Sequence, residues 1–553
     1  MRNGINAFVG MQPRVEPHLL PPGAAQTAVD ARLVSGSIDT YRKPAEVTTL
    51  AKVGTIKTIY RFGKSLDTDT QHWFHWLNDT DVTRGSIPDD TQERTYFTEA
   101  GQAPRVTDST LATGDALMPT ASYLLGIPAA SSSAAVTVTP GPDDPDGNME
   151  RQQCLLAYTF VSEWGEEGPP NAVSDPFNAA TGDTLNVVSM EGPPSGAYNI
   201  THKRLYVSIT DSMGSAVLRF WKEITAGATT YSAELDMTVL GEAVPENAMV
   251  PPPATMFGIM AHPGGFLIGF DGQRVLRSET FKPHGWPYFS PVADDIVGGA
   301  ILGAATVICT KGGTYMATQA DPITFTPIQL NGWQPCVSKR SIAILESGVV
   351  YASPDGLVGV DGTGQLSVLT ATIMTRDQWQ AYKPDSMMAV THDGRIFLFY
   401  DTGTSKGGII LETVPGGGVQ MFLTSIHATA AFADERRDAL FLVVENGKLH
   451  KWDSHADVLT FTYTGKQFIA ERPQNVGAAM VVADGYPLTF KFDAVVRTDT
   501  GDRTISFTKT VTSARPFRLD GRYRVREYQY TITSQHKVTA VTLASTLGNI
   551  TAE

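Results

Sequence analysis

One motif recurs five times between residues 255 and 465 and limits what the chain can fold into: a hydrophobic run, a tight glycine-containing turn and a second hydrophobic run. Asp-Gly and Asn-Gly turns between hydrophobic runs are typical of β-hairpins, because the type I′ turn needs a positive φ at both central residues. The turn glycines are Gly272, Gly313, Gly356, Gly394 and Gly447, with spacings of 41, 43, 38 and 53 residues. A hairpin about every 40 to 50 residues is the repeat of a β-propeller blade.

A sixth blade is predicted from residues 50–109, where "QHWFHWLNDTDVTRG" and "RTYFTEAGQAPRVTD" have the composition of strands. A propeller closes its ring by joining distant parts of the chain, which accounts for strands on both sides of an insertion. The residues alone leave one alternative open, a set of unrelated hairpins in a β-sandwich.

The insertion covers residues 110–253. Its strand-like runs are separated by turns about every 8–12 residues, which predicts a small β-sandwich similar to fibronectin type III. It ends at "PENAMVPPPAT", whose prolines indicate a stiff linker. Patterns with the period of a helix are scarce, and we expect short helices only at Ala24–Leu33 and within Ala371–Tyr382.

Together these patterns predict a mainly β protein: a six-bladed β-propeller that carries the inserted sandwich, with a β-rich platform formed by the N-terminal arm and the C-terminal segment. The predicted organisation is an N-terminal docking arm or platform segment at 1–49, the first propeller strands at 50–109, the sandwich at 110–253, the propeller blades at 254–470 and a C-terminal β platform segment at 471–553.

Composition excludes several classes of protein. The formal net charge of -14 argues against a surface that binds nucleic acid throughout, because phosphates attract basic faces. The three cysteines are an odd number and lie far apart, which fits folding in a reducing compartment. The longest apolar run, Gly298–Cys309, is too short to span a bilayer, so we expect no membrane insertion and folding in a cytoplasm.

Motifs that carry catalytic chemistry are missing from the sequence: there is no P-loop, no Gly-x-Ser-x-Gly and no His-Glu-x-x-His. His72 and His75 would face opposite sides of a strand, which argues against a shared metal ion. The adjacent acids Glu166 and Glu167 are interpreted as exposed loop residues that diverge on an extended chain. We therefore predict that the protein is not an enzyme and has no cofactor.

One segment, "DDPDGNMERQQC", hints at a calcium-binding loop, because Asp144, Asp146 and Asn148 are spaced two apart. The glycine at 147 is displaced from the position that such a loop needs. Leu155 also stands where the bidentate Glu would be. An acidic turn is the better interpretation, so no metal site is predicted.

The charge balance changes at the C-terminal end of the chain. Residues 488–553 carry 10 Lys and Arg against 6 Asp and Glu, a net charge of +4. If Arg522–Ile532 is one strand, alternation places Arg522, Arg524 and Arg526 on one face together with Tyr528 and Tyr530. Three interpretations of this basic face stay open: an interface with an acidic partner, a solvated sheet face, or a contact with DNA.

The opening residues "NGINAFVGMQPRVEPHLLPPGAAQTAVDARLVSGSIDTYRKP" resemble the N-terminus of the tail nozzle proteins of short-tailed bacteriophages, the tail tubular protein B group. The blade segments "GGFLIGFDGQRVLRSETFKPHGWP" and "NGWQPCVSKRSIAILESGVVYASPDGLV" and the final "VTAVTLASTLGNI" are also similar to such virion proteins. The elements of the arm that carry the likeness are Gly10, Gln12–Pro13, Ala24–Leu33, Ser35–Gly36 and Arg42–Lys43–Pro44.

The resemblance implies a structural virion protein of the phage tail: a homohexameric ring below the portal and adaptor that forms the distal nozzle of the DNA-ejection conduit. The implied partners are other copies of the chain, the adaptor ring, the tail fibre or spike proteins, and double-stranded DNA that passes without sequence-specific binding. The implied location is the virion tail, assembled in the bacterial host cytoplasm. An acidic wall suits such a channel, because a basic lumen would hold the phosphates.

This implied role gives the arm a task, docking onto a neighbouring subunit or the adaptor ring; the alternative is a strap along its own propeller or platform domain. Two other functions stay open, a glycan-binding or receptor-binding propeller with acids and aromatic rings at its axial mouth, and a cytoplasmic scaffold of a host bacterium. The candidate docking residues are Gln12, Pro13, Arg32, Arg42, Lys43, Arg515, Arg518, Arg522, Arg524 and Arg526.

Overall fold

The regular elements of the protein are almost all β-strands, as predicted. The computed structural model describes residues 2–34, 36–63, 68–142, 149–210, 216–245, 249–414, 418–445, 447–498, 501–519 and 523–551. The α-helices in these ranges are short: α1 (Arg376–Gln380), inside the segment predicted to be helical, and α2 (Gly548–Thr551). None of the described helices is long and apolar enough to cross a membrane.

The N-terminal arm (residues 1–49) is folded into strands. They are β1 (Arg2–Ile5), β2 (Val9–Met11), β3 (Ala24–Val29), β4 (Ala31–Val34), β5 (Ser37–Thr40) and β6 (Ala45–Thr49). The prediction of a helix at Ala24–Leu33 is therefore wrong. Ala24, Ala25, Ala28 and Ala31 are fully buried. Strand pairing on both sides of β3 overrides the helix propensity of alanine.

The first propeller strands follow the arm. They are β7 (Thr58–Arg61), β8 (Trp73–Trp76), β9 (Thr80–Arg84), β10 (Thr95–Glu99), β11 (Arg105–Thr107) and β12 (Tyr123–Leu124). The last four form one antiparallel sheet in the order β12-β11-β10-β9, which we call blade 1. β7 and β8 form a separate two-stranded sheet.

The insertion that follows blade 1 is a small β-sandwich. Its strands are β13 (Ala135–Thr139), β14 (Gln152–Cys154), β15 (Leu156–Ser162), β16 (Phe177–Ala179), β17 (Thr184–Val188), β18 (Ile200–Thr210), β19 (Ala216–Thr225) and β20 (Tyr231–Glu234). The sheets β13-β17-β20 and β15-β18-β19 share a core that contains Leu156, Leu185 and Trp221. The two ends of the insertion meet, because a Cβ added to Gly126 would lie 2.6 Å from Cβ of Pro251.

Five further blades carry the repeated hairpins of the sequence. In the turn between the first two strands of blade 5, Asp393 and Gly394 both have positive φ, 51° and 70°, as the type I′ prediction requires. At Asp271–Gly272 and Asp355–Gly356 only the glycine has a positive φ, so the type I′ prediction is wrong at those two turns. The strands are β21 (Phe257–His262), β22 (Phe266–Asp271), β23 (Arg274–Arg277) and β24 (Tyr288–Pro291) in blade 2; β25 (Ile296–Leu302), β26 (Ala305–Thr310), β27 (Thr314–Ala317) and β28 (Ile328–Gln329) in blade 3; β29 (Ala343–Leu345), β30 (Gly348–Ser353), β31 (Gly356–Asp361) and β32 (Leu366–Val368) in blade 4; β33 (Met388–His392), β34 (Arg395–Asp401), β35 (Lys406–Val414) and β36 (Gly418–Thr424) in blade 5; and β37 (Ala430–Asp434), β38 (Ala439–Glu445) and β39 (Lys448–Lys451) in blade 6.

The blades surround one axis. Their first strands lie side by side in the order β9, β21, β25, β29, β33 and β37. The β7–β8 sheet closes the ring between blade 6 and blade 1: Trp73 packs on Phe441 with ring centroids 4.8 Å apart, and the Thr80 N–H donates to Thr58 Oγ1 at 3.0 Å. β6 from the arm pairs with β39 as the fourth strand of blade 6. The described residues thus form a propeller of six four-stranded blades with an additional two-stranded sheet.

The platform unites both ends of the chain, as predicted. One sheet has the order β4-β5-β47-β42-β45, with β1 paired to β47, and the other has the order β2-β3-β40-β46-β43-β44 and continues into blade 5 through β36. Met11 pairs with Met421, and Val29 pairs with Leu423, at this continuation. The C-terminal strands are β40 (Phe461–Gly465), β41 (Phe468–Gln474), β42 (Ala478–Ala483), β43 (Leu488–Thr498), β44 (Gly501–Val511), β45 (Phe517–Arg518), β46 (Val525–Ser534) and β47 (Val538–Ala544).

Candidate functional site

Three connected cavities of about 210, 620 and 550 Å³ follow the propeller axis. They are lined by the first strand of every blade. Met260 and Ile342 belong to both the first and the second cavity, and Ile344 and Thr391 belong to both the second and the third. The axis is therefore an open groove, and this groove is the first candidate for a ligand-binding site.

One end of this groove is charged, but its charges are paired. The Lys339 ammonium lies 3.0 Å from Asp79 Oδ2 and 2.6 Å from Asp81 Oδ2. Burial lowers the pKa of Lys339, but the attraction of Asp81 and Asp79 outweighs it, so that the pKa of the amine is raised. Arg340 donates to the carbonyl oxygens of Lys57 at 2.7 Å and Thr429 at 2.5 Å. These contacts tie blade 4 to blades 1 and 6 across the axis.

The rest of the groove is aliphatic and acidic. Its middle is lined by side chains such as Ile259, Ala300 and Ile301, and its far end by Glu346 and Glu435 among others. Among the described residues, no Phe, Tyr or Trp side chain lines the three cavities. Sugar-binding sites place aromatic rings against the apolar face of the sugar, so the axial mouth does not have the lining that the glycan-binding alternative requires.

The arm residues proposed for docking lie against their own chain. Arg32 Nη1 is 3.6 Å from Asp453 Oδ2, and its guanidinium lies 5.8 Å from the centre of the Tyr41 ring. The Arg42 N–H donates to Asp453 Oδ1 at 2.5 Å. Lys43 Nζ is 3.5 Å from Asp457 Oδ2. The arm thus lies along its own platform and propeller, and its docking to another subunit stays a prediction.

Gln12 and Pro13 follow β2 in a turn and are both half-buried. The Pro13 carbonyl accepts a hydrogen bond from Gln378 Nε2 at 2.7 Å. Gln378 is the third residue of α1, where its side chain also completes a capping box with Thr375. This turn of the arm is therefore held by α1.

The C-terminal arginines are mostly at the surface. Arg515, Arg518, Arg524 and Arg526 are exposed, whereas Arg522 lies outside the described residues. The expected face of arginines and tyrosines is wrong, because Tyr528 and Tyr530 are 2% and 0% exposed while Arg526 points to solvent. The pairing of β46 with β41 has an irregularity between Glu527 and Val525, and the alternation of buried residues breaks there.

β44 forms an open edge of the platform. It pairs with β43 along all of its eleven residues, from Gly501 to Val511, and it is the last strand of its sheet. Most of its side chains are exposed. The edge carries the cations Arg503 and Lys509, a common device against uncontrolled pairing.

One polar cluster was not predicted from the sequence. Glu166 and Glu167, expected to be exposed, have side chains only 12% and 10% exposed. Glu167 accepts hydrogen bonds from Thr159, Arg204 and Tyr206. Glu166 pairs with Arg94, whose Nη1 is 2.8 Å from Glu166 Oε1. These partners are far apart in sequence, and the local signal that could have indicated the cluster is the tryptophan beside the acids in "EWGEEG".

The candidate metal ligands have other roles or lie outside the described ranges. His75 is 1% exposed, and its Nε2 accepts from the Lys52 N–H at 3.1 Å. Burial lowers the pKa of His75, which keeps it neutral. The spacing that resembles a calcium-binding loop, at Asp144, Asp146 and Asn148, falls outside the described residues. Within the described ranges, no group of three metal-ligating side chains is present.

No protein-family model matches the chain, and a search of curated proteins finds no match. Similar solved structures include BamB from Moraxella catarrhalis (14% identity, TM-score 0.27, 54% of this chain and 91% of that one) and the WD40 domain of Toxoplasma gondii coronin (11%, 0.24, 59% and 87%). PorZ, a surface component of the type-IX secretion system of Porphyromonas gingivalis, is similar too (12%, 0.25, 60% and 44%). The TM-scores are low, and the propeller assignment rests on the strand pairing of this chain.

Proposed function

We propose that the chain is a structural subunit of the tail of a short-tailed phage, and that copies of it form the distal nozzle ring of the DNA-ejection conduit. The resemblance of the arm, the blade segments and the final strand to tail nozzle proteins supports this role. The structural observation that carries it is the platform, because both chain ends are built into sheets and one sheet continues into blade 5. A shared sheet opposes the motions that are usual between domains, as the wall of a conduit requires.

The proposed contact between copies is the open edge of β44. An exposed strand of this length offers a row of unpaired backbone groups, and such an edge pairs readily with another chain. We assign it to a second copy of this chain, because a ring of identical subunits repeats one contact around its axis. The resemblance sets the number of copies at six.

The proposed partners above and below the ring follow from charge. Arg515, Arg518, Arg524 and Arg526 are exposed on the basic C-terminal segment, and such a patch fits an acidic surface on the adaptor ring or on a fibre or spike protein. The formal charge of -14 supports a wall that lets DNA pass without holding its phosphates. In this proposal the protein is assembled in the host cytoplasm and resides in the virion tail.

The edge contact is tested with two single variants, Thr508→Pro and Lys509→Pro. Adjacent N–H groups of a strand point in opposite directions, so one of these prolines removes an outward N–H and leaves the pairing with β43 intact. We expect the variant that keeps the wild-type Tm to be lost from purified particles. Measurement is by quantitative immunoblot of particles made in cells that supply only the variant.

Thr508→Ala and Lys509→Ala are the matched controls, because they remove the same side chains and keep both N–H groups. We expect both alanine variants to be incorporated at the wild-type level. Wild-type incorporation of the folded proline variant would show that copies do not meet at β44.

A further inference from the structure

A pocket of about 320 Å³ lies where the inserted sandwich meets the propeller, and we call it the junction pocket. Four parts of the chain line it: blade 1, the turn after β15 in the sandwich, the connection that leaves the sandwich at Pro245 and Met249, and the connection between β23 and β24 in blade 2. The residues that matter for its chemistry are Arg94, Trp164, Glu166, Phe281, Lys282 and His284.

The pocket holds a buried ring nitrogen that has no hydrogen-bond partner in the described part of the chain. His284 is 6% exposed, and its Nδ1 has no hydrogen-bond partner among the described residues. A hydrogen bond to the Glu167 backbone engages the ring, and Nδ1 lies 3.9 Å from Glu166 Oε1. Burial lowers the pKa of His284 to about 4, so the ring is neutral, and Nδ1 either accepts or donates one hydrogen bond according to the tautomer. A buried polar atom left unsatisfied is costly, which favours a ligand group that forms a hydrogen bond with it.

Donors and acceptors alternate around this histidine. Glu166 supplies a carboxyl group that Arg94 orients at 2.8 Å, and Asp90 holds the same guanidinium through Arg94 Nε at 2.9 Å. Lys282 adds an ammonium group at the rim. A ligand in this pocket therefore meets fixed acceptors next to fixed donors.

Two aromatic rings complete the pocket. The Arg94 guanidinium lies over the Trp164 ring, 5.6 Å from the ring centroid, and Trp164 packs edge-on against Tyr123. Phe281 is 52% exposed and has a φ of 56°, a conformation that is strained for a bulky residue. Gly265 makes room for the Phe281 ring, because a Cβ at Gly265 would lie 2.5 Å from Cε1 of that ring. Such strain is typical of residues that serve a binding site.

We propose that the junction pocket binds a neutral saccharide. A sugar hydroxyl donates and accepts at once, so adjacent hydroxyls satisfy His284, Glu166 and Arg94 together. The C–H face of a sugar packs on aromatic rings such as Trp164 and Phe281. Above pH 7 an inorganic anion would be repelled by the ionised Glu166, and at any pH an apolar ligand would leave His284 Nδ1 unsatisfied. The volume suits one or two sugar units, at the small end of ligand pockets.

The test is saturation-transfer difference NMR of the full chain with a panel of glucose, galactose, mannose, rhamnose, N-acetylglucosamine and their common disaccharides, plus inorganic phosphate. We expect at least one saccharide to bind. We also expect Phe281→Ala and Glu166→Gln each to raise its Kd by about tenfold. Phe281→Ala removes a half-exposed side chain and keeps the fold intact.

Trp333→Ala is the matched control, because Trp333 is 70% exposed and lies outside the junction pocket. We expect this variant to leave the Kd unchanged. Three results would overturn the proposal: no saccharide binds, only phosphate binds, or saccharide binding is the same in Phe281→Ala and Glu166→Gln as in the wild type.

Discussion

Arg61 is a fully buried cation between β7 and blade 6. Its Nη1 lies 3.0 Å from Asp434 Oδ2 and 3.6 Å from Asp69 Oδ1, and the Asp434 side chain is 4% exposed. Removing one partner of a buried ion pair is strongly destabilising, and without Asp434 only the more distant and partly exposed Asp69 still faces Arg61. We expect Asp434→Asn to lower the free energy of unfolding by about 3 kcal/mol, measured by urea denaturation.

The matched control for this substitution is Asp295→Asn. Asp295 pairs with Lys311 at 3.1 Å, but both side chains are more than half exposed. Solvent screens such a pair, so we expect a loss below about 1 kcal/mol. Equal losses in the two variants would show that burial of the Arg61 pair contributes nothing.

Two buried groups of the junction pocket give opposite pH dependences. Burial raises the pKa of Glu166 from 4.5 to about 7 despite the nearby Arg94. Between pH 4.5 and about pH 7, Glu166 keeps its proton in the folded protein but has released it in the unfolded chain. The contribution of Glu166 to the free energy of unfolding therefore falls as pH rises. Burial lowers the pKa of His284 from 6.5 to about 4. Between about pH 4 and pH 6.5, His284 is protonated in the unfolded chain but not in the folded protein. The contribution of His284 to the free energy of unfolding therefore rises with pH.

The Glu166→Gln variant separates the two effects, because it removes the pH dependence due to Glu166 and keeps the one due to His284. We expect its stability to rise by about 2 kcal/mol more than that of the wild type between pH 4.5 and 6.5, measured by urea denaturation. Glu346→Gln, at an exposed carboxylate of the axial groove, is the control and should follow the wild type. Parallel plots of the free energy of unfolding against pH for Glu166→Gln and the wild type would contradict the raised pKa of Glu166.

At the scale of elements, the arm and the inserted sandwich should respond differently to deletion. The arm supplies β1 to β5 to the platform, so removing residues 2–40 uncovers β36, β40 and β47. The sandwich has its own core, and its ends meet at Gly126 and Pro251. We expect the arm deletion to aggregate, and replacement of residues 127–250 by a short glycine linker to leave a soluble propeller. Soluble yield and thermal unfolding are the measurements, and a soluble, cooperatively unfolding arm deletion would contradict this account.

The elements that the sequence predicts well are those with local signals. Turns such as Asp393–Gly394 need a special backbone conformation, and the residue types state it directly. The Ala24–Leu33 segment has no such signal, and its small residues fit a crowded central strand as well as a helix. The junction pocket depends on residues as distant as Arg94, Glu166 and His284, which only the tertiary structure brings together.

At the scale of the whole molecule, the propeller and the platform are one construction. Blade 6 needs β6 from the arm, and the platform sheet shares β36 with blade 5. The open edge at β44 and the basic C-terminal patch lie at the surface, and the proposed function assigns both to contacts with other chains. This arrangement suits a subunit that is rigid before assembly and that joins its neighbours through its surface.

The central claim, a place in the distal tail ring, is tested most directly by immunogold electron microscopy of purified phage particles with an antibody to this chain. The account predicts gold label confined to the distal tip of the tail. Unlabelled particles, with the protein left in the cleared lysate, would contradict it.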